Sequence, residues 1–259
     1  MATYRNHTMT YLSRILFVFL IAGGASIGSR AQTAEEIVSK YLHAMGGKEK
    51  LQSINTLYQE GIAVLENGGR MNTKSWRVYD KVYRHEILLP AGKVTIIVTP
   101  NKGWSAGPGT GGAFRPLTTE QFKALRPEID PGGPLVDYAA KGNKLEVVGK
   151  DTVEGETCVK LKVSFPSGGS TVYSIAARTG YILRSSHNGG NVLGTILPGS
   201  PFAEHPDGEV VTDYADYKVI PGGYVFPHII VISPYRARVR ITKIEVNGTI
   251  DEKALSRPK

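Results

Sequence analysis

The spacing of apolar residues changes character once, near Asn55. Before it, Ile37, Val38, Tyr41, Leu42 and Met45 recur at helical intervals and form one apolar stripe. Thr33 followed three residues later by Glu36 has the form of a capping box, which satisfies orphan amides at a helix start. Gly46 stands where a left-handed residue ends a helix, and Gly47 can open a second short helix that faces the core through Leu51 and Ile54. The pair does not make a phosphate loop. Such a loop follows a β-strand and carries GxGxxG or GxxxxGK[ST], and this segment fits neither pattern.

After Asn55 the period becomes two. TLYQEGIAVLE, TKSWRVYDKVYRHEILL and KVTIIVT predict strands with turns at Asn67-Gly68-Gly69, Asp80-Lys81 and around Pro90-Ala91-Gly92, and NKGWSA leads into a further short strand. A second block continues in the same style through KLEVVGKDTVEGETCVKLKVSF, STVYSIAARTGYILRSS, EVVTDYADYKVI, YVFPHIIVIS and RARVRITKIEV. The connections are too short for helical crossovers, so the pattern predicts an antiparallel meander. Val159, Leu161, Val163 and Phe165 share one strand face, with Lys160 and Lys162 on the other. Ala237, Val239 and Ile241 have one parity and Ile244 and Val246 the opposite one, which predicts a bulge near Thr242. YVFPHIIVIS is apolar on both parities and predicts a stretch of sheet covered on both faces. Helices are expected in LTTEQFKALRPEID, where Thr118 pairs with Gln121 ahead of Pro127, and in GPLVDYAAKG, from Pro134 to just before Gly142. AGPGTGGAFRP and HNGGNVLGTILPGSPFAEHPDG are long loops, either lids or loose connections.

The chain has 259 residues, and the first of them do not read as part of the fold. Arg5, His7 and Arg14 give a basic start, ILFVFLIAGGASIG is an apolar run, and SRA before Gln32 places small residues at −3 and −1. These features predict a secretory signal peptide over residues 1–31, cleaved after Ala31, ahead of one domain over residues 32–259. The apolar run is shorter than the ~20 residues a membrane span needs. Cys158 is the only cysteine, so neither an acylated cysteine at the cleavage site nor an internal disulfide is expected. The periplasm is the compartment that fits. The formal charge of +8 falls to +5 without Arg5, Arg14 and Arg30. An exported basic chain meets anionic lipid head groups and the envelope, not nucleic acid.

AEEIVSKYLHAMGGKEKLQSINTL resembles the opening of exported outer-membrane lipoprotein-sorting proteins, the LolA/LolB-like family, in a divergent branch. So do NKGWSAGPGTGG, PGGPLVDYAAKGNKLEVVGKDTVEGETCVKLKV, VYSIAARTGYILRS, DYADYKVIPGGYVFPHI and ITKIEVNGTIDEKAL, in that order. The loop from His187 to Asp207 is the main unmatched stretch. The resemblance implies a mainly β, α+β domain: one curved antiparallel sheet of about eleven strands, an open half-barrel, with short helices covering its concave face. It implies a soluble, monomeric periplasmic carrier that holds the acyl chains of lipoproteins or other lipids and exchanges them with membrane-associated donor and acceptor proteins. Neither an enzyme nor a cofactor is implied. A lipid- or stress-sensing regulator of the same fold is the alternative, and an envelope hydrolase a more distant one. The arginine with which such carriers tie their lid has no motif match here.

An apolar hollow needs no polar contact to bind tightly, because each buried acyl CH₂ is worth about 0.8 kcal/mol. The expected lining is Ile37, Tyr41 and Met45 from the first helix with Trp76, Val78, Ile96, Val98, Val159, Leu161, Phe226 and Ile230 from the strands. Alternation alone does not separate a cavity wall from a packed interior. Arg236, Arg238 and Arg240 share one strand face and could meet lipid head groups or an acidic partner. No catalytic or metal-binding residue is assigned. Glu204, His205 and Asp207 sit in a Pro/Gly loop without a second ligand motif. His85 and Glu86 are strand neighbours facing opposite sides, His43 is on the polar side of its helix, and no GxSxG elbow occurs. Cys158, sharing parity with Lys160 and Lys162, reads as a half-exposed structural cysteine.

Overall fold

The computed structural model describes residues 32–189, 192–196, 208–233, 237–251 and 255–257. Thirteen strands form one open antiparallel sheet among these residues. In chain order they are β1 (Thr56–Val64), β2 (Arg70–Val78), β3 (Val82–Leu89), β4 (Gly92–Val98), β5 (Gly103–Ala106), β6 (Arg115–Pro116), β7 (Lys144–Val153), β8 (Glu156–Ser164), β9 (Ser170–Ala176), β10 (Ile182–Asn188), β11 (Glu209–Ile220), β12 (Tyr224–Ser233) and β13 (Ala237–Val246). Their spatial order is β6-β5-β4-β3-β2-β1-β13-β12-β11-β10-β9-β8-β7. Two meanders therefore meet where the first strand pairs with the last, and the edges β6 and β7 stay apart. The count exceeds eleven because it includes the four-residue β5 and the two-residue β6.

A register irregularity lies where the two meanders meet. Glu60 pairs with Lys243 but Gly61 pairs with Ile241, so Thr242 is the extra residue of a bulge on β13, as the parity switch predicts. Gly61 opposite it leaves little room for a side chain: a Cβ would lie 3.0 Å from Thr73 Oγ1 and from Val239 Cγ1.

Helices fill the two wings of the concave face differently. Helix α1 (Ala34–Ala44) begins at the Thr33/Glu36 capping box and buries Ile37, Val38, Tyr41 and Leu42. With α2 (Lys48–Gln52) it packs on Val159, Leu161, Val163, Val225 and Phe226, a continuous apolar cluster in which each large side chain is worth roughly 1.5–3 kcal/mol. Gly46, at φ +106°, lets the helix end there, and a Cβ on it would come within 2.5 Å of the Gly223 carbonyl oxygen. Over the other wing lie α3 (Thr119–Leu125), a 3₁₀ turn (Arg126–Ile129) and α4 (Val192–Ile196). Thr118 and Gln121 form the second capping box, and the chain passes through Pro127 as a 3₁₀ turn instead of stopping.

Three expectations are corrected. The segment from Pro134 to Gly142 is a series of turns, not a helix, because Asp137 adopts φ +49°, outside the helical region. The doubly covered part of the sheet is not at β12, whose Ile229 to Ser233 are only half-buried. It lies at β2–β5, where Ile250 and Leu255 cover Val78, Val82, Ile97, Trp76 and Trp104 on the convex face. Cys158 is buried, not half-exposed: it packs with Val153, Ala176 and Leu183, and burial pushes its thiol pKa up.

Candidate functional site

Under the second lid, formed by α3, the 3₁₀ turn and α4, the concave face does not meet the helices, and a cavity of about 320 Å³ remains. The register shows why it is hollow there. Gly61, Ala63, Thr73 and Ser75 lie side by side on β1 and β2, so small side chains form the floor. Larger apolar groups stand around them as walls: Met71, Ile87 and Ile96 on one side, Ile230, Val239 and Ile241 on the other. Leu125 of α3 and Val192 and Leu193 of α4 roof the space.

One pole of the cavity is polar. Arg77, on the inward parity of β2, donates from Nε to Glu128 Oε2 at 3.2 Å and again from Nη2. Its Nη1 donates to Gln59 Oε1 at 3.0 Å and to Ser75 Oγ at 3.2 Å, and its guanidinium lies 4.9 Å from the centre of the Tyr83 ring. Burial opposes the charge on Arg77, but the Glu128 carboxylate more than offsets this and holds its pKa above the ordinary value. Since Glu128 belongs to the 3₁₀ turn, this pair ties the lid to the sheet. Asp80 N–H to the Ile129 carbonyl (3.3 Å) ties the same turn beside Glu128, and Arg126 Nε to the Pro100 carbonyl (2.8 Å) ties its first residue.

Two histidines complete the pole. His85, cross-strand partner of Ser75, is driven down to about 4 by burial and then by the Arg77 charge. His187, from β10 on the opposite wall, is also lowered by burial, against carbonyls of Asn188 and Gly189 that favour its charged form. Both are therefore neutral at physiological pH. The Nδ1 atoms of both are buried and have no hydrogen-bond partner. Tyr214, whose hydroxyl is 3.0 Å from Ser185 Oγ, is pushed up to about 12, chiefly by burial.

The structure distributes the residues expected to line a cavity over several environments. Ile96 and Ile230 line this one. Ile37, Tyr41, Met45, Val159, Leu161 and Phe226 lie in the packed cluster beneath α1, and Val98 is fully buried under the second lid. Trp76 and Val78 point to the convex face, because the inward parity of β2 belongs to Ser75 and Arg77. Arg238 and Arg240 are exposed on that same outer side of β13, while Arg236, with Glu204, His205 and Asp207, lies outside the described residues. Glu86 faces away from His85 and pairs with Arg84 and Lys93. Arg77, Glu128, His187 and Tyr214 are missed by sequence reasoning. A signal for the first was present: a turn at Asp80-Lys81 that pairs Val78 with Val82 also aligns Arg77 with Tyr83 and Ser75 with His85.

No protein-family model matches the chain, and no curated protein matches it. Solved structures do. A LolA superfamily protein from Nitrosomonas europaea superposes with a TM-score of 0.54, covering 88% of this chain and 99% of that one at 10% identity. The fold is LolA-like. A DUF1329 family protein from Desulfovibrio piger gives 0.54 over 87% of this chain and 98% of that one at 9% identity. A putative outer membrane lipoprotein-sorting protein domain from Vibrio parahaemolyticus gives 0.50 over 85% and 94% at 10%. At such identity the LolA-like likeness is one of backbone, and the lining residues stand on their own chemistry. Among the described residues no group of three or more His, Cys, Asp and Glu side chains is placed to hold a metal ion, and no helix is long and apolar enough to cross a membrane.

Proposed function

We propose that the protein is an exported, monomeric carrier that holds a lipid acyl chain in the cavity beneath the second lid and moves it through the periplasm between membrane-associated donor and acceptor proteins. On this reading residues 1–31 are a signal peptide removed after Ala31. The observation that carries the reading is the unfilled, largely apolar space between the lid and the bent sheet. Its volume, about 320 Å³, stands at the low end of the roughly 300–1,000 Å³ typical of ligand sites, which suits one chain better than several. A dozen methylenes buried there at about 0.8 kcal/mol each outweigh the cost of immobilising the chain.

The polar pole gives a hydrolase some footing, since Ser75 and His85 are cross-strand partners on the inner face. A general base works best with a pKa near the operating pH, however, and His85 is held at about 4. Its Nδ1 makes no bond to Ser75, whose Oγ instead receives Arg77. Carriage uses what is present and hydrolysis needs what is not.

Native mass spectrometry of protein gently released from its own periplasm tests the proposal. Bound lipid should appear in the wild type and vanish in Ile96→Trp, which fills the wall, with the circular dichroism spectrum unchanged. A lipid-free wild type that also fails to take up added lauroyl or palmitoyl lipids would refute carriage.

A further inference from the structure

We propose that the convex face of the sheet, across β12, β13, β1, β2 and β3, is a docking surface for an anionic phospholipid bilayer. The inference goes beyond carriage, since it concerns the face opposite the cavity and stands whether or not the cavity holds a lipid.

The register sets two ladders of outward-pointing side chains next to each other on that face. One runs Val231, Arg238, Val64, Arg70, and the other Ile229, Arg240, Ile62, Asn72, Leu88, Lys93. Aliphatic and cationic groups thus interleave from strand to strand. Arg70, Arg238, Arg240 and Lys93 are exposed, as are Val64 and Leu88, while Ile62, Ile229 and Val231 are half-buried. The described helices pack on the concave face, and Ile250 and Leu255 cover a different part of the convex one, at Val78, Val82 and Ile97.

Charge complementarity names the occupant. The outward carboxylates of these five strands are Glu60, Glu86 and Glu245, and each already has a cation: Lys74 at 3.6 Å, Arg84 at 2.6 Å and Lys243 at 2.8 Å. Asp213 on neighbouring β11 is held by Arg184 at 2.6 Å. Glu66 and Glu209 stand at one end of the patch. Arg70, Arg238 and Arg240 have no carboxylate opposite them in the ladders, so their charge is available to an anion outside the chain. The apolar half of the pattern decides between a bilayer and a soluble acidic partner. Aliphatic tips set among arginines enter the head-group region while the guanidinium groups stay at the phosphates, and this needs no shaped complement. Docked so, the protein turns its lid away from the bilayer, where another protein can reach it.

Flotation of the full-length mature protein with phosphatidylethanolamine vesicles holding about 30% phosphatidylglycerol, and with phosphatidylcholine vesicles, tests the inference. Binding should appear on the anionic vesicles, fall at least about tenfold on the neutral ones, and fall as far when salt rises from ~0.05 M to ~0.5 M. Each cation at such a surface is worth about fivefold in affinity, so Arg238→Ser/Arg240→Ser should lose about twentyfold with an unchanged circular dichroism spectrum. Lys102→Ser/Lys123→Ser removes the same charge elsewhere and should lose less than about threefold. No binding to the anionic vesicles, or equal losses in the two double variants, would overturn bilayer docking. Capture of polyglutamate through Arg238 and Arg240 by a protein that ignores vesicles would overturn it in favour of an acidic protein partner. Failure of the wild type to take up lauroyl lipid would refute carriage and leave docking standing, because none of these residues lines the cavity.

Discussion

Replacing Glu128 by Ala should loosen the lid and cost stability by an amount the geometry allows to be worked out. The carboxylate accepts two hydrogen bonds from Arg77, and charge-assisted bonds of this kind are worth about 1.5–3 kcal/mol each when well buried. Arg77 is 17% exposed but Glu128 is 41% exposed, so water takes over part of what the mutation removes. Arg77 also keeps Gln59 and Ser75 as acceptors. A net loss of about 2 kcal/mol follows, below the 3–5 kcal/mol seen when a fully buried pair is broken. Arg77→Met should cost about 1 kcal/mol, because the remaining Glu128 can still reach water. The double mutant should lose less than the sum, with a coupling of about 1–2 kcal/mol. Urea unfolding of the four proteins at pH 7 and low salt measures each quantity. Additivity within about 0.3 kcal/mol, or a Glu128→Ala loss under about 0.5 kcal/mol, would show that the pair is not what fastens the lid.

Three further outcomes are expected. The folded protein holds His85 at about 4 against an ordinary 6.5, so between these values the unfolded chain binds more protons. That contribution, roughly 3 kcal/mol, is complete above pH 6.5 and is lost as pH falls toward 4; the urea midpoint of His85→Leu should therefore drop less than that of the wild type over this window, and equal drops would refute the assignment. Gly46→Ala should lower stability by about 2–4 kcal/mol, since it combines positive φ with a clash against Gly223, and a thermal midpoint within about 2 °C of wild type would count against both causes. Cys158, buried and with its pKa raised, should resist an aromatic disulfide reagent at pH 8 until urea unfolds the sheet; rapid native labelling would contradict its place in the core.

The meander was legible because β-period and turn chemistry are local properties. Asn67-Gly68-Gly69, Asp80-Lys81 and Pro90-Ala91-Gly92 separate strands where the structure separates them, and even the slip at Thr242 showed in the parity of β13. Asp137 was not legible, since a left-handed aspartate inside an otherwise helical pattern is imposed by contacts such as its acceptance of Gln52 and Lys48 from α2. The cavity was harder still. Its walls and the packed cluster beneath α1 have the same composition, and what separates Ile96 from Val159 is whether a helix descends onto the strand. Seeking apolar residues also led to the wrong face of β2, where Trp76 and Val78 look like lining and the inward positions are Thr73, Ser75 and Arg77.

That inversion on β2 bears on why the hollow persists. Folding drives large apolar side chains into any space they can reach, and interiors pack to crystal-like density, so an empty volume needs a cause. Here the residues on the floor are Gly61, Ala63, Thr73 and Ser75, too short to reach across the space, and Arg77 spends its length on Glu128 instead of filling the centre. The lid's 3₁₀ turn is held at its last residues by that pair and by the Asp80 bond to Ile129, and at its first residue by Arg126 on the Pro100 carbonyl. Floor, strut and roof are thus set by different residues. A longer side chain on the floor would close the space without disturbing the tie, whereas loss of the tie would let the roof move while the floor stayed short. Binding and lid stability are then separable properties of one cavity, and neither follows from its apolar walls alone.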